Sequence, residues 1–383
     1  MMFIKAAFLK ALSSILTRIN KKHLFYCILL IAVFISAKVI LCEIAHAEKY
    51  IELKLLYELN QAADFAVPLG KNKIVIVSKA GTIQTLNIES GQISALNISN
   101  KAVKVYSVTK LQDERLLLTG LILEPANQLK PFSKIYIPNM RIIKDTNPMK
   151  IGRHSYTATL LDNGKILIAG GEDLDKDSQR SGLLSSLEIF DPATERYTLL
   201  DSKFKYPHIF HTATKLSDGR VLFGGGLFSS DKFSEIEIYS QSKNIIEDEG
   251  QLPIELRKSM TAYPLNDDRL LLLPKSGKAQ IYDVKDKRIT ILPGPICGKD
   301  QYGIREQTIL KLDQDSLLIM GGYEAVTTEV CHASNIFSQK TNEFMPVKSD
   351  LSFVLVGAMP VTVQDQFYLI QGKKVYKLII KGY

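Results

Sequence analysis

Short apolar runs punctuate the chain, most of them closing on glycine. They are 73–78 (KIVIVS), 115–120 (RLLLTG), 165–171 (KILIAGG), 220–226 (RVLFGGG), 269–275 (RLLLLPK), 316–322 (SLLIMGG) and 366–372 (QFYLIQG). Counted from first residue to first residue, the spacings are 42, 50, 55, 49, 47 and 50. Each run either alternates or is apolar over five or six residues, and none shows the three-and-four spacing of an amphipathic helix. The pattern predicts β-strands in a repeat near fifty residues, which is the period of a propeller rather than of a helical solenoid.

The units share an internal order. In the third, 154–161 is predicted as the first strand and Asp162-Asn163-Gly164 as a tight turn suited to positive φ. The second strand is 165–171. The third is 187–190, closed by Asp191-Pro192-Ala193-Thr194, and the fourth is 196–200. The fourth unit repeats this as 211–216, Ser217-Asp218-Gly219, 220–226, 235–239 and 244–247. Four antiparallel strands of this length make one propeller blade. The last unit supplies only 356–363, 366–372 and 375–381, whereas 50–57 (YIELKLLY) precedes the first unit with no partner there. That segment is expected to complete the last blade and close the ring, removing open edges. The expected fold is therefore all-β, with seven four-stranded blades; six is the alternative if the first unit folds irregularly.

These residues carry a family resemblance. HSYTATLLDNGKILIAGG (154–171) followed by SSLEIFDPATERYTLL (185–200) resembles a kelch repeat. HTATKLSDGRVLFGGG (211–226) with IEIYSQ (236–241), and LDQDSLLIMGG (312–322) with NIFSQKTNEF (335–344), resemble two more. The glycine doublets are Gly170-Gly171, Gly224-Gly225 and Gly321-Gly322, and the third-strand aromatics are Tyr136, Phe190, Tyr239, Tyr282 and Phe337. The Trp usual in the fourth strand of the family is replaced by Tyr197, Phe344 or aliphatics such as Ile289, and the first, fifth and seventh units lack the doublet. The resemblance spans about 56–383. It implies a kelch-type β-propeller of the galactose-oxidase-like superfamily, without pointing to a subfamily. Where the doublet is missing, as at Pro274-Lys275, a remodelled blade junction is expected.

Ahead of the repeats, 24–37 (LFYCILLIAVFISA) carries no charge, and the apolar run resumes at 39–42 after Lys38. Arg18, Lys21 and Lys22 precede it and Ala45-His46-Ala47 follows it. Basic flank, apolar centre and small-x-small exit describe a secretory signal. An uncleaved anchor is the rival, because 24–42 is long enough to span a bilayer as a hydrophobic helix. Ile4, Phe8, Leu12, Ile15 and Ile19 form one apolar helical stripe among cations with no acid, an interfacial helix pattern that an over-long signal start would also produce. Leu41 before Cys42 argues against lipidation. The domains are thus a basic amphipathic cytoplasmic segment (1–23), a signal peptide or anchor (24–47) and the propeller (48–383), exported to a periplasmic or secreted location or tethered through 1–42.

The formal charge is +8, from 48 Lys and Arg against 40 Asp and Glu. Six of those cations and one acid lie in 1–47, leaving +3 on the propeller. Most of the excess belongs to targeting, and a nucleic-acid reading loses its support.

Candidate chemistry is local. Twelve residues before the second strand stand Arg153, His208 and Arg257; eleven before it stand Lys104 and Arg305. Five consecutive blades offering a cation at one entrance would focus field on an anionic glycan or peptide. The resemblance also implies a structural role for such residues, as donors to loop carbonyls. Cys297 and Cys331 fall in loops on that same face, so a disulfide is expected in an oxidising compartment, with two free thiols as the alternative. Closing that loop would contribute about 3 kcal/mol. His154, His208, His211 and His332 form no HxH, HExxH or CxxC arrangement. Copper radical oxidases resemble this architecture and use Tyr and His ligands; Tyr206, His208 and Cys331-His332 do not reproduce their motif. No metal, cofactor or catalytic residue is therefore assigned. The expected function is a binding module for a protein or an anionic glycan or peptide. A carbohydrate-directed enzyme (sugar isomerase or copper oxidase) and a structural envelope scaffold are the alternatives.

Overall fold

The computed structural model describes residues 50–124, 128–173, 182–226, 235–251, 260–266, 268–274, 278–292, 304–305, 307–324, 331–349 and 356–382. The segments 1–23 and 24–47, and the junction at Lys275, lie outside them. Among the described residues every regular element is a β-strand, and no helix is long and apolar enough to cross a membrane. The chain divides into two units. In the one formed by Met1–Tyr50 and Ile380–Tyr383, the Lys381 ammonium lies 5.9 Å from the centre of the Tyr50 ring. The other, Ile51–Ile379, holds the repeats.

Five sheets of four antiparallel strands follow in chain order. The first contains Phe65–Leu69, Lys73–Val77, Thr82–Asn87 and Ile93–Asn97; the second, Val103–Lys110, Leu116–Glu124, Gln128–Ile137 and Ile142–Asp145. The third contains Thr157–Leu160, Ile166–Ala169, Ser186–Asp191 and Arg196–Lys203; the fourth, Thr212–Lys215, Val221–Gly224, Glu235–Ser240 and Ile245–Gln251. The fifth contains Met260–Pro264, Arg269–Pro274, Gln280–Asp283 and Arg288–Ile291. Of the remaining strands, four short ones form two two-stranded ladders and eight form one sheet. Half of it is Thr308–Lys311, Ser316–Met320, Ser334–Ser338 and Glu343–Ser349. The other half is Met359–Val363, Gln366–Gln371, Lys374–Lys381 and Tyr50–Glu58. The unpartnered N-terminal segment thus takes its place beside Lys374–Lys381, and it also borders Glu343–Ser349.

The apolar runs are second strands, and their lack of alternation has a physical reason. Successive side chains of a strand point to opposite faces, and here both faces are covered. Ile166 and Ile168 pack with Leu117 and Ile135 of the second sheet, whereas Leu167 and Ala169 pack with Val221 and Phe223 of the fourth. Leu270 and Leu272 join the fourth sheet, and Leu271 and Leu273 join Leu317 and Ile319. Ile74 and Ile76 meet Val361 and Ile370, which ties the first sheet to the last strands of the chain. Each such side chain contributes about 1.5–3 kcal/mol by burial. First strands lie side by side from sheet to sheet, and Met359–Val363 lies beside Phe65–Leu69. The architecture is all-β and consistent with a β-propeller.

The third-strand aromatics Tyr136, Phe190, Tyr239, Tyr282 and Phe337 are all buried. Tyr197 and Phe344 fill the slot left by the missing Trp, with ring centres 4.7 Å from Phe190 and 4.9 Å from Phe337. One sequence expectation shifts by a residue. The left-handed doublet of the fourth sheet is Gly225-Gly226 (φ 69° and 103°), because Gly224 still pairs with Thr212 in the ladder. It matches Gly170-Gly171 (φ 63° and 98°). A Cβ on Gly170 would stand 2.5 Å from the His208 carbonyl oxygen, so glycine is required there by both dihedral and space.

Candidate functional site

The first strand of the third sheet is shorter than its sequence pattern. Arg153–His154 separates from it and forms a two-stranded ladder with Glu172–Asp173, and Ile304–Arg305 does the same with Tyr323–Glu324. These ladders set the backbone register of two of the five candidate cations, Arg153 and Arg305.

Arg153 is fully buried and so is its partner Glu188, whose Oε1 accepts from Nη2 at 2.7 Å. Nη1 donates to the carbonyls of Gly170 and Ser186 at 2.9 Å each. Glu188 also accepts from the backbone N–H of Lys150 at 2.7 Å and of Ile151 at 3.1 Å. His208 occupies the equivalent place in the fourth sheet. Its Nε2 lies 2.7 Å from Glu237 Oε2, both side chains are buried, and Glu237 accepts from the Lys205 N–H at 2.8 Å. Arg153 and His208 are therefore braces that hold each inter-sheet connection to its own sheet. This corrects their expected placement as open cations in a ring. The signal for it was present: a polar residue two places before the third-strand aromatic, inside an otherwise apolar strand. Gln84 and Gln280 share that register and are buried like the two glutamates, Gln84 exchanging two hydrogen bonds with the Gln61 backbone.

Arg305 pairs with Tyr323 as His154 pairs with Glu172, so its backbone register matches His154, one residue away from that of Arg153. Arg257 and Cys297 lie outside the described residues. Cys331 is buried and disulfide-bonded.

Lys104 is exposed, and with its neighbours it forms a cluster where the second and third sheets begin. Its Nζ lies 5.4 Å from the Tyr106 ring centre, and that ring lies 5.9 Å from the His154 ring. His154 Nδ1 is 2.9 Å from Ser155 Oγ, and Nε2 is 3.4 Å from Glu172 Oε2. The His154 and Glu172 side chains are each 26% exposed. Burial raises the Tyr106 phenol above its ordinary pKa. Below it, Tyr156 hydrogen-bonds Thr119 Oγ1 at 2.5 Å, and desolvation pushes its phenol up strongly. Cation, aromatic face, imidazole and carboxylate within one patch suit recognition of a polar ligand. Ser155 has φ 55°, but Phe210, its counterpart in the fourth sheet, has φ 52°. The left-handed turn belongs to the repeat rather than to an activated serine.

No protein-family model matches the chain. No curated protein matches it either. Among solved structures it is similar to a novel fungal alcohol oxidase of the AA5 family, in complex with copper. The TM-score is 0.61 at 12% identity, covering 85% of this chain and 75% of that one. The likeness shows the fold alone. Among the described residues, no group of three or more His, Cys, Asp or Glu is arranged to hold a metal ion. His208 Nε2 is committed to Glu237, and Cys331 is in a disulfide. Tyr206 lies under the Lys205 ammonium, 5.5 Å from its ring centre, and His332 is exposed.

Proposed function

We propose that the chain is a seven-bladed kelch-type β-propeller, exported or membrane-tethered, that binds a protein or an anionic glycan or peptide without chemical turnover. The blade count rests on the five four-stranded sheets and on the eight further strands, which divide into two sets of four. The observation that carries the binding reading is the Lys104–Tyr106–His154–Glu172 patch, a half-open arrangement of recognition groups with no metal cluster beside it among the described residues. A glycan and acidic-peptide array tests it. Lys104→Ala with His154→Ala is expected to lower array binding at least tenfold, and Arg257→Glu with Arg305→Glu is expected to lower it further. Binding unchanged by all four substitutions would remove this face from the function, and stoichiometric copper in the purified protein would favour an oxidase.

Export is supported by the disulfide at Cys331, because such bonds persist in oxidising compartments. Its partner is Cys297 in this proposal. Peptide mapping without reductant is expected to recover a peptide joining the two; two alkylatable thiols in native protein would refute the pairing.

A further inference from the structure

At the opposite end of the strands, a cavity of about 260 Å³ opens between the first and second sheets. It is lined by Lys73, Thr85, Asn87, Gln92, Ser94, Tyr136, Pro138 and Arg141. Lys73 begins a second strand, Asn87 ends a third, and Pro138 and Arg141 belong to a third-to-fourth-strand turn. In an antiparallel order these positions lie away from the strand entrances that carry Lys104 and His154.

Two features set this cavity apart from the corresponding places in other sheets. In the third sheet the counterpart of Lys73 is Lys165, whose Nζ pairs with Asp191 Oδ2 at 3.0 Å. The first sheet has Asn87 where the third has Asp191, so the ammonium of Lys73 lacks that carboxylate. The second feature is Arg141. It holds the left-handed turn position (φ 55°) that Glu195, Asn244 and Asn342 hold in three other sheets and that another cation, Lys287, holds in the fifth. Nearby cations are mostly neutralised: Lys134 by Asp145, Lys144 by Glu195, Lys110 by Glu114. Neither Lys73 nor Arg141 takes part in an ion pair among the described residues, and no acid lines the cavity. Glu89, the nearest acid along the turn, is held outside by Asn72 Nδ2 at 3.2 Å. The wall between the cations is neutral and polar, with Tyr136 Oη 3.4 Å from Thr85 Oγ1.

Two uncompensated cations converging on hydroxyl and amide groups recognise an anion that also carries hydroxyls. The volume is just below the roughly 300 Å³ at which ligand pockets of drug size begin, which suits one sugar ring better than a bare oxyanion. We propose that this cavity is a binding site for an anionic monosaccharide unit, a hexuronate or a sugar phosphate. Lys73 and Arg141 receive the acidic group, and Asn87, Gln92 and Ser94 receive the ring hydroxyls.

Titration calorimetry of the full chain with glucuronate, glucose 6-phosphate, glucose and inorganic phosphate tests the assignment. At least one anionic sugar is expected to bind ten times more tightly than glucose and than inorganic phosphate. Asn87→Asp restores the missing carboxylate at an exposed turn without removing any packing; it and Arg141→Ala should each weaken that binding at least tenfold. Lys311→Ala, at an exposed cation that lines neither this cavity nor the entrance patch, should leave it unchanged. The assignment is overturned if no anionic sugar binds, if glucose or phosphate binds equally well, or if Asn87→Asp and Arg141→Ala have no effect.

Discussion

Arg153→Ala is expected to destabilise the protein by about 3–5 kcal/mol, because it leaves the Glu188 carboxylate buried without its cation. Glu188→Ala is expected to cost a similar amount, since the guanidinium and two backbone N–H groups lose their acceptor. Replacing both by apolar residues will not restore stability. The pair also satisfies the Gly170 carbonyl and the Lys150 and Ile151 amides, each about 1–3 kcal/mol when left buried and unpaired, whereas the Ser186 carbonyl keeps the Gly170 N–H. The Arg153→Met, Glu188→Leu double variant is thus expected to cost about as much as either single change, far less than their sum. With 16 Tyr and no Trp in the chain, urea unfolding is best followed by far-UV dichroism and tyrosine fluorescence. Additive costs would show that the two side chains act independently, and a loss below about 1 kcal/mol for Arg153→Ala would show that the brace is dispensable.

Acid should weaken the fourth sheet through a different residue. His211 is buried against Phe204 and Phe223, with its Nε2 3.0 Å from Thr157 Oγ1 and its ring 5.5 Å from that of His208. Desolvation first, and the neighbouring His208 second, lower its pKa from 6.5 to about 3. Between those values the unfolded chain binds the proton and the folded chain does not, so stability falls as pH falls. The contribution is complete above pH 6.5 and is lost progressively toward pH 3. From pH 7 to pH 4 this amounts to about 3 kcal/mol at roughly 1.36 kcal/mol per pH unit. His211→Phe should cost about 1 kcal/mol at pH 7, from the Thr157 hydrogen bond, and should flatten the acid limb. His211→Tyr places there the residue that the third sheet has at its equivalent position, Tyr156. If both variants keep the wild-type slope between pH 7 and pH 4, another group governs the acid response.

The strands were legible in the sequence because burial on both faces leaves an unmistakable mark: 166–169 and 270–273 are apolar throughout. The aromatic anchors of the third strands were legible for the same reason, since each falls at a fixed distance from a hairpin turn. Register was harder. Gly224, Gly225 and Gly226 are identical in sequence, and only the ladder to Thr212 shows which two leave the strand. Arg305 stands eleven residues before its second strand where Arg153 stands twelve, and the two-residue ladder agrees with that offset by placing it on the register of His154. The larger difference came from counting cations without asking where their acids lay. Glu188 and Glu237 sit within apolar strands, and a carboxylate there needs a buried partner. That requirement drew Arg153 and His208 inward, whereas Lys104 stays exposed. The cavity beside Lys73 was hidden for the converse reason. It depends on an acid that the first sheet lacks, and a missing partner becomes visible only once Asn87 is aligned with Asp191.

The strand Tyr50–Glu58 has a consequence for how the chain reaches its final state. It leaves the ribosome ahead of all the other strands, yet its neighbours Glu343–Ser349 and Lys374–Lys381 are synthesised nearly three hundred residues or more later. Contacts of that sequence separation are slow to form, because loop closure must precede any gain from pairing. The intermediate that awaits it holds finished sheets around an open seam, with unpaired edges at Lys374–Lys381 and along Tyr50–Glu58 itself. Until that seam closes, those edges are where the chain is exposed to aggregation.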